Sequence, residues 1–179
     1  MIKIGERFPR FSLTGVISND NNRAFTRIDE KNYPNKWLVV FFWPKDFTFI
    51  CPTEITEFGK LYGEFASRNA QILGISTDSE YVHLAWRREK EELHELPFPM
   101  LSDIQRNLSQ QLGILNESEG VAERATFIVD PKQTIRFIMI NDLNVGRNPQ
   151  EVLRVLDALQ TKGLCPCNWQ RGEKTISVN

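Results

Sequence analysis

The sequence is poor in cysteine and histidine, two side chains that often carry catalysis or bind metals. Its 179 residues include only three cysteines and two histidines. Three cysteines are too few for the disulfide framework of a small secreted domain. The two histidines belong to no Ser-His-Asp pattern, so hydrolase chemistry has no support. In a reducing compartment such cysteines are more often catalytic or metal-binding, and their chemistry is therefore the question to pursue.

The sequence also lacks an excess of charge of one sign and any long apolar run. The 22 Lys and Arg residues balance 23 Asp and Glu residues, so no global field favours nucleic acid as a partner. The longest apolar run covers residues 37–43, whereas a membrane-spanning helix needs about 20 residues. Lys3, Glu6 and Arg7 interrupt the apolar stretch that a secretory signal requires. We therefore expect a cytoplasmic protein with no membrane contact.

The composition that remains is that of an ordinary folded domain. Hydrophobic residues make up 41% of the chain and charged residues 25%, and no stretch is compositionally biased. These values exclude collagen-like and disordered chains. Residues 163–179 alone lack helical periodicity and hold two of the three cysteines. The sequence thus predicts one domain over residues 1–162 and a C-terminal tail over residues 163–179.

The clearest pattern is a strand, a helix and a second strand in succession. Residues 37–43 form a continuous apolar run that Pro44 stops, which predicts a strand buried on both faces. The apolar period then changes and predicts a helix over residues 52–68. Residues 70–76 predict the next strand. This succession is a βαβ unit, so its two strands are expected to be parallel.

Weaker patterns complete the predicted fold. Residues 8–16 predict a short hairpin or edge strand, and residues 125–129 and 134–140 predict an antiparallel pair. The other predicted elements are a helix over 79–95, a strand near 100–101, a helix near 104–112 and a last helix from Pro149, capped by Gly163. Together they predict an α/β protein with a thioredoxin-like fold, in which helices flank a mixed central sheet.

Cys51 stands at the start of the predicted helix over 52–68, with Pro52 in its first turn. The N–H groups and the dipole at a helix N-terminus favour a thiolate over a thiol. This position favours a reactive thiol over the alternative of a small buried hydrophobic residue, which most isolated cysteines are. A C-x-x-C dithiol is missing, because Thr48 and Glu54 occupy the positions three residues away. One thiol is therefore expected to react alone at first.

Residues 44–54 read PKDFTFICPTE, and this segment resembles the active-site signature of the peroxiredoxins. The signature places a proline and a threonine, here Pro44 and Thr48, ahead of the reactive Cys51. The resemblance covers nearly the whole chain and includes PMLSD at 99–103 and RATFIVDP at 124–131. The tail reads CPCNW from residue 165. Within the family, the chain resembles the 2-Cys peroxiredoxins of the alkyl hydroperoxide reductase C (AhpC) branch that have a Cys-x-Cys tail.

The resemblance implies roles for five residues around the reactive thiol. Arg124 supplies a permanent cation that favours the thiolate and orients the peroxide. Thr48 hydrogen-bonds the thiolate or the peroxide, and Pro44 shields the sulfur from water. Glu54 holds the arginine fork in place. Arg147 matches the second arginine of the family. The alternative for both arginines is a solvated surface charge.

The resemblance implies a reaction that needs neither a metal nor another cofactor. The Cys51 thiolate attacks one oxygen of a hydroperoxide, the O–O bond breaks, and water or an alcohol leaves a cysteine sulfenic acid. A second thiol then condenses with the sulfenic acid to form a disulfide. Cys165 resembles the resolving cysteine, and Cys167 is better placed to accept the disulfide afterwards. Which of the two resolves, and whether within or between subunits, stays open at this point.

The partners implied by the resemblance are a hydroperoxide, a protein thiol reductant and copies of the chain. The reductant is thioredoxin, a flavoprotein reductase or an AhpD-type dithiol protein. The strand near 134–140 is expected to pair with its copy, and the resulting homodimers to assemble into a ring. The alternative functions are a thioredoxin-like disulfide exchanger and a holdase chaperone.

A metal site at Cys165 and Cys167 is a rival interpretation of the tail. It is the weaker one, because His83 and His94 are far away in sequence and are predicted to lie on a polar helix. Trp169, close to both cysteines, is predicted to fold back onto the core rather than to anchor a partner.

Overall fold

The fold is built around one mixed β-sheet. The computed structural model describes residues 2–161 and 163–178. In chain order the strands described there are β1 (Ser12–Val16), β2 (Phe25–Asp29), β3 (Trp37–Phe42), β4 (Ala70–Ser76), β5 (Met100–Ser102), β6 (Leu115–Asn116), β7 (Val121–Ala122), β8 (Arg124–Val129) and β9 (Ile135–Asn141). The α-helices are α1 (Cys51–Lys60), α2 (Tyr62–Ser67), α3 (Glu80–Glu89), α4 (Asn107–Leu112) and α5 (Pro149–Gln160). Short 3₁₀ turns cover Glu30–Asn32 and Glu91–Leu93.

The main sheet has the strand order β2-β1-β5-β4-β3-β8-β9, with β6 and β7 forming a separate small ladder. Strands β3, β4 and β5 run parallel to one another, and the other neighbouring pairs are antiparallel. The predicted βαβ unit and the predicted antiparallel pair of β8 with β9 are both confirmed. Residues 8–16 contain one strand, β1, so the prediction of a short hairpin within them is wrong; β1 pairs antiparallel with β2, and an edge position for β1 is also wrong. Strand β1 lies between β2 and β5, so β2 occupies the edge.

Strand β3 supplies side chains to two hydrophobic clusters. Leu38, Val40 and Phe42 belong to one cluster, whereas Val39 and Phe41 belong to the other. The division follows from the strand geometry, because successive side chains point to opposite faces. Helices α1, α2, α3 and α5 contribute to the second cluster and α4 to the first. The burial of this strand on both faces, predicted from its continuous apolar run, is confirmed.

Two of the predicted helices differ from expectation in length. The helix predicted over 52–68 divides at Leu61, whose ψ of 0° departs from helical geometry, and α1 and α2 lie on either side. The helix predicted over 79–95 ends at Glu89 because Lys90 adopts an extended backbone. Helix α5 begins at Pro149 as predicted, and the side chain of Asn148 caps its first N–H groups.

The tail folds back onto α5 through a few defined contacts. Trp169 is 4% exposed, which confirms the prediction that it folds back. Leu164 and Ile176 form an isolated β-bridge. Gly163 is not the cap of α5, because the helix ends at Gln160 with Thr161 as its C-cap, and Gly163 does not adopt left-handed backbone. A Cβ at Gly163 would instead collide with the side chain of Thr175, so the absence of a side chain allows this close approach.

The predicted boundary at residue 162 lies outside the described residues, and the division into a domain and a tail stays a prediction. Within residues 2–161 and 163–178, no helix is long and apolar enough to cross a membrane.

Candidate active site

Cys51 is the first residue of α1 and lies at the end of the loop that follows β3. Pro44 stops the strand, and Pro52 occupies the first turn of the helix, where a missing N–H costs no hydrogen bond. The Cys51 side chain is fully buried and belongs to the same cluster as Ile55 and Phe58. The thiol therefore lies inside the molecule, at the positive end of a helix dipole.

A guanidinium distinguishes Cys51 from an ordinary buried cysteine. Nη1 of Arg124 donates to Cys51 Sγ at 3.3 Å and to Glu54 Oε2 at 2.8 Å. Nε of Arg124 donates to the carbonyl oxygen of Leu143 at 2.7 Å, which fixes the plane of the fork. Arg124 is 4% exposed, so it is not a solvated surface charge. Among the described residues, its Nη2 has no protein acceptor and is left to bind another molecule.

Arg147 lies on the other side of Glu54 and uses all of its donor nitrogens within the protein. Its Nε donates to Glu54 Oε1 at 2.9 Å, and its Nη2 donates to Glu54 Oε2 at 3.1 Å. Its Nη1 donates to the carbonyl oxygen of Ala125 at 2.8 Å, and its guanidinium lies 5.3 Å from the centre of the Phe41 ring. Arg147 is therefore a buried support for Glu54 rather than a surface charge.

The buried charges around Cys51 do not balance while the thiol is neutral. Glu54 is 3% exposed, and within the described part of the chain it is the one carboxylate paired with either arginine. Two guanidinium groups and one carboxylate leave one positive charge. A Cys51 thiolate would neutralise it, and uncompensated buried charge is costly. The cluster therefore leaves a surplus positive charge beside Cys51 Sγ.

Pro44 and Thr48 flank the turn of the active-site loop, which we define as residues 44–50. Pro44 is buried, whereas Thr48 is half-buried. The hydroxyl of Thr48 donates to the carbonyl oxygen of Lys45 at 2.9 Å. In the described structure no hydrogen bond joins Thr48 to Cys51. The structure thus brings Cys51, Glu54, Arg124 and Arg147 into one cluster, and places Pro44 and Thr48 in the loop that leads to it.

The tail cysteines lie in a different place from Cys51. Cys165 is half-buried, and its Sγ lies 3.3 Å from Oγ1 of Thr161, whereas Cys167 is exposed. Both line an open cavity of about 550 Å³ beside Arg154 on α5. All three cysteines are free thiols. Because Cys51 is fully buried, a tail thiol reaches it only after a local rearrangement.

Sequence reasoning missed a buried polar network next to the active-site loop. Nδ1 of His83 lies 2.6 Å from Oδ2 of Asp46, and Nε1 of Trp43 donates to Oδ1 of Asp46 at 2.7 Å. The prediction that both histidines lie on a polar helix is wrong for His94, whereas His83 does lie on that helix, α3, but with a buried side chain. His83 is fully buried because it lies on the face of α3 that packs against the sheet, and His94 follows the 3₁₀ turn. The sequence feature that could have indicated this network is Asp46, an acidic residue within the signature segment 44–54.

No group of three or more potential metal ligands occurs among the residues that the structure describes. Cys51 is a single thiol at a helix N-terminus, and its hydrogen-bond partner is an arginine rather than a second cysteine. Such a thiol is suited to two-electron oxidation at sulfur. On a mixed α/β sheet with a βαβ unit, this arrangement defines a thiol-dependent peroxidase of the peroxiredoxin class.

Comparisons with known proteins agree with this class. The AhpC/TSA family matches residues 4–138. Alkyl hydroperoxide reductase C of Mycobacterium tuberculosis H37Rv is 53% identical over 186 residues, which cover 99% of this chain and 95% of the relative. The protein of the same name from Mycolicibacterium smegmatis is 50% identical, with the same coverage.

Solved structures give the same result. Mycobacterium tuberculosis AhpC has a TM-score of 0.87 at 53% identity and covers 95% of this chain and 99% of its own. The reduced 2-Cys peroxiredoxin of Plasmodium vivax has a TM-score of 0.89 at 31% identity, over 98% of this chain and 93% of its own. The chain belongs to the AhpC/TSA family. The predicted family, thioredoxin-like fold and thiol-dependent peroxidase class are therefore confirmed.

Proposed function

We propose that this protein reduces hydrogen peroxide and organic hydroperoxides, with Cys51 as the reacting thiol. The observation that carries the proposal is the shared Nη1 of Arg124, which bonds both Cys51 Sγ and Glu54. This contact holds a permanent cation at the sulfur at any working pH. The relatives named alkyl hydroperoxide reductase C support a hydroperoxide as the substrate.

In the first step the Cys51 thiolate attacks the nearer oxygen of the peroxide. An S–O bond forms, the O–O bond breaks, and sulfur supplies the electron pair. The departing oxygen takes a proton and leaves as water or an alcohol. The free Nη2 of Arg124 is available to stabilise the charge that develops on the peroxide oxygens. Thr48 supplies a further hydroxyl, and Pro44 limits the access of water to the sulfur.

In the second step a tail thiol resolves the sulfenic acid. The first turn of α1 and the tail must unwind locally, because Cys51 is buried and the tail cysteines lie beside α5. The sulfur of Cys165 then attacks Cys51, an S–S bond forms, and the hydroxyl leaves as water with the proton of the attacking thiol. Cys167 is exposed and accepts the disulfide by exchange. A reductant outside the chain returns the protein to the dithiol form.

The partners and location follow from the family and from the shape of the sheet. The reductant is a protein thiol donor, for which thioredoxin, a flavoprotein reductase and an AhpD-type protein are the candidates. Strand β9 is an edge of the main sheet, so it offers a ladder for a second copy and a route to a homodimer. We expect such dimers to form a ring, and we place the protein in the cytoplasm, where its thiols stay reduced.

Intact-mass measurement after one equivalent of hydrogen peroxide tests the proposal. The wild type should lose two hydrogens as it forms a disulfide that includes Cys51. Cys51→Ser should consume no peroxide and keep its mass, because it has lost the reacting thiol. The matched control is Cys167→Ser, which should still consume the equivalent. An unchanged wild-type mass would leave a disulfide exchanger or a holdase as the better function.

A further inference from the structure

Asp46 connects the active-site loop to the rest of the protein through three hydrogen-bond contacts. The carboxylate of Asp46 receives the indole N–H of Trp43 at 2.7 Å and lies 2.6 Å from Nδ1 of His83. The backbone N–H of Asp46 donates to Asp78 Oδ2 at 2.9 Å. The side chains of Asp46 and His83 are 1% and 0% exposed, so the contact is dry. Trp43 directly after β3, His83 on α3 and Asp78 in the segment after β4 therefore hold one loop residue.

These contacts of Asp46 hold the next residue, Phe47, in an unfavourable backbone conformation. Phe47 has a φ of +57°, in the left-handed region that non-glycine residues rarely adopt. Its side chain is about half exposed, so packing alone holds it weakly. The other ionic contact of the loop, between Lys45 and Glu119, is a half-exposed pair. Asp46 thus provides the buried anchor for the turn that leads through Thr48 to the reactive thiol.

The pair shares one proton. Nε2 of His83 lies 3.1 Å from the carbonyl oxygen of Leu101, and a carbonyl only accepts, so Nε2 carries a hydrogen. The second proton therefore lies between Nδ1 and Asp46. Burial raises the pKa of Asp46. Burial opposes charge on His83, yet attraction to and hydrogen bonding with Asp46, with a smaller contribution from Asp78, raise the pKa of His83. The 2.6 Å contact between Nδ1 of His83 and Oδ2 of Asp46 requires this shared proton, because a lone pair on Nδ1 would otherwise face a carboxylate oxygen.

We propose that the Asp46–His83 pair positions the active-site loop for attack on peroxide, and that loss of the shared proton at alkaline pH releases the loop. This inference rests on the proposed peroxidase function. Asp46 and His83 are positioning residues, because they act through the loop and do not contact the reacting sulfur. Their role is distinct from that of Arg124, which bonds the sulfur directly.

The direction of the pH effect follows from the raised pKa of His83. The contact is intact below the ordinary pKa of histidine and is lost as pH rises through the raised value. Leu101 keeps the hydrogen on Nε2, so deprotonation exposes the lone pair of Nδ1 to the carboxylate of Asp46. The two groups then repel, and the loop loses its anchor. Asp78, the other acid near His83, adds to this repulsion.

The test is the second-order rate constant for oxidation of Cys51 by hydrogen peroxide, measured in a single turnover across pH. Asp46→Ala should lower it by about 10²-fold at neutral pH, as expected when reacting groups are misplaced by about an ångström. Asp46→Asn should recover most of the rate, because its amide donates to neutral His83 and still accepts from Trp43. The control Lys45→Met, which removes the exposed pair of the same loop, should resemble the wild type.

The pH profile separates positioning from general stability. The wild-type rate should fall at alkaline pH, and Asp46→Asn should lack this fall because its pair has no proton to lose. An identical alkaline fall in both proteins, or a wild-type rate for Asp46→Ala, would overturn the proposal. Hydrogen exchange of residues 44–50 reports on the loop without any turnover. If the wild type consumes no peroxide, the proposed peroxidase function is wrong. Hydrogen exchange of residues 44–50 still decides in that case whether the Asp46–His83 pair holds the loop.

Discussion

The two thiol regions of this protein have opposite physical properties. Cys51 is fully buried and hydrogen-bonded to Arg124, inside a cluster in which Glu54 pairs with both Arg124 and Arg147. Cys165 is half-buried and Cys167 is exposed, and the described residues of the tail, 163–178, include no helix or extended strand. The cycle that we propose uses both kinds of site. Attack on peroxide requires groups that are already in place, whereas resolution requires a thiol that can travel.

The difference is also visible in what holds each region. Glu54 bonds Arg124 and Arg147, which in turn bond the carbonyl oxygens of Leu143 and Ala125. The tail is held by the buried indole of Trp169 and by a hydrogen bond from Arg154 to the carbonyl oxygen of Trp169, at 3.0 Å. Weaker contacts are those of Cys165 Sγ with Thr161 Oγ1 at 3.3 Å and of Arg171 with Asp157 at 3.9 Å. Removing one contact should therefore have unequal consequences in the two regions.

The largest difference should appear when one arginine is removed from each region. Arg147→Met should lower the free energy of unfolding by about 3–5 kcal/mol, because it leaves a buried carboxylate short of a partner. The matched change Arg154→Met should cost about 0–1 kcal/mol, since its partner Glu151 is substantially exposed. Urea denaturation of both variants measures the two values. If both substitutions lowered the free energy of unfolding equally, the contacts of the tail would stabilise the protein as much as those of the Cys51 cluster.

Arg124 should affect the rate of reaction strongly. Arg124→Ala should slow oxidation of Cys51 by about 10²–10³-fold, the loss typical when a donor to developing charge is removed. Arg124→Lys keeps the charge but lacks the planar guanidinium that hydrogen-bonds both Glu54 and the Cys51 sulfur. Its oxidation rate should therefore lie between those of the wild type and Arg124→Ala. Rapid-quench mass spectrometry measures these rates, and alkylation across pH reports the thiolate. An alkylation profile equal to that of the wild type would reject the role of Arg124 at the sulfur.

The tail thiols should show the smallest effect because one can replace the other. Cys165→Ser should slow disulfide formation by about tenfold, as Cys167 must adopt the attacking geometry from two residues further along. Changing both cysteines should leave Cys51 as sulfenic acid after one equivalent of peroxide, and a second equivalent should oxidise it to sulfinic acid, a fate known for 2-Cys peroxiredoxins as a class. Peptide mapping after one equivalent of peroxide identifies the bonds. A dominant Cys51–Cys167 disulfide in the wild type would reverse the assignment of the tail cysteines.

Much of the fold was predictable from local patterns. The continuous apolar run before Pro44 predicted β3, and Pro149 with its periodic apolar residues predicted the start of α5. Boundaries set by tertiary contacts were not predictable. The tail packs Thr175 against Gly163, which was therefore misinterpreted as a helix cap. Strand β1 was assigned an edge because its partner β5 lies more than 80 residues away along the chain.

The sequence by itself determined that one cysteine, Cys51, precedes a proline at a helix start, and this pattern predicted the reactive thiol. A single cysteine before a proline at a helix start, with Pro44 and Thr48 ahead of it, is a local signal, and local signals depend only on neighbouring residues. Tertiary structure alone decided which charges meet. Glu54 pairs with Arg124 and Arg147, which lie 70 and 93 positions away in the sequence. His83, predicted only to lie on a polar helix, becomes the buried partner of Asp46. These contacts depend on how α1, α3 and β8 pack, because burial, which gives an ion pair its strength, is a property of the assembled fold.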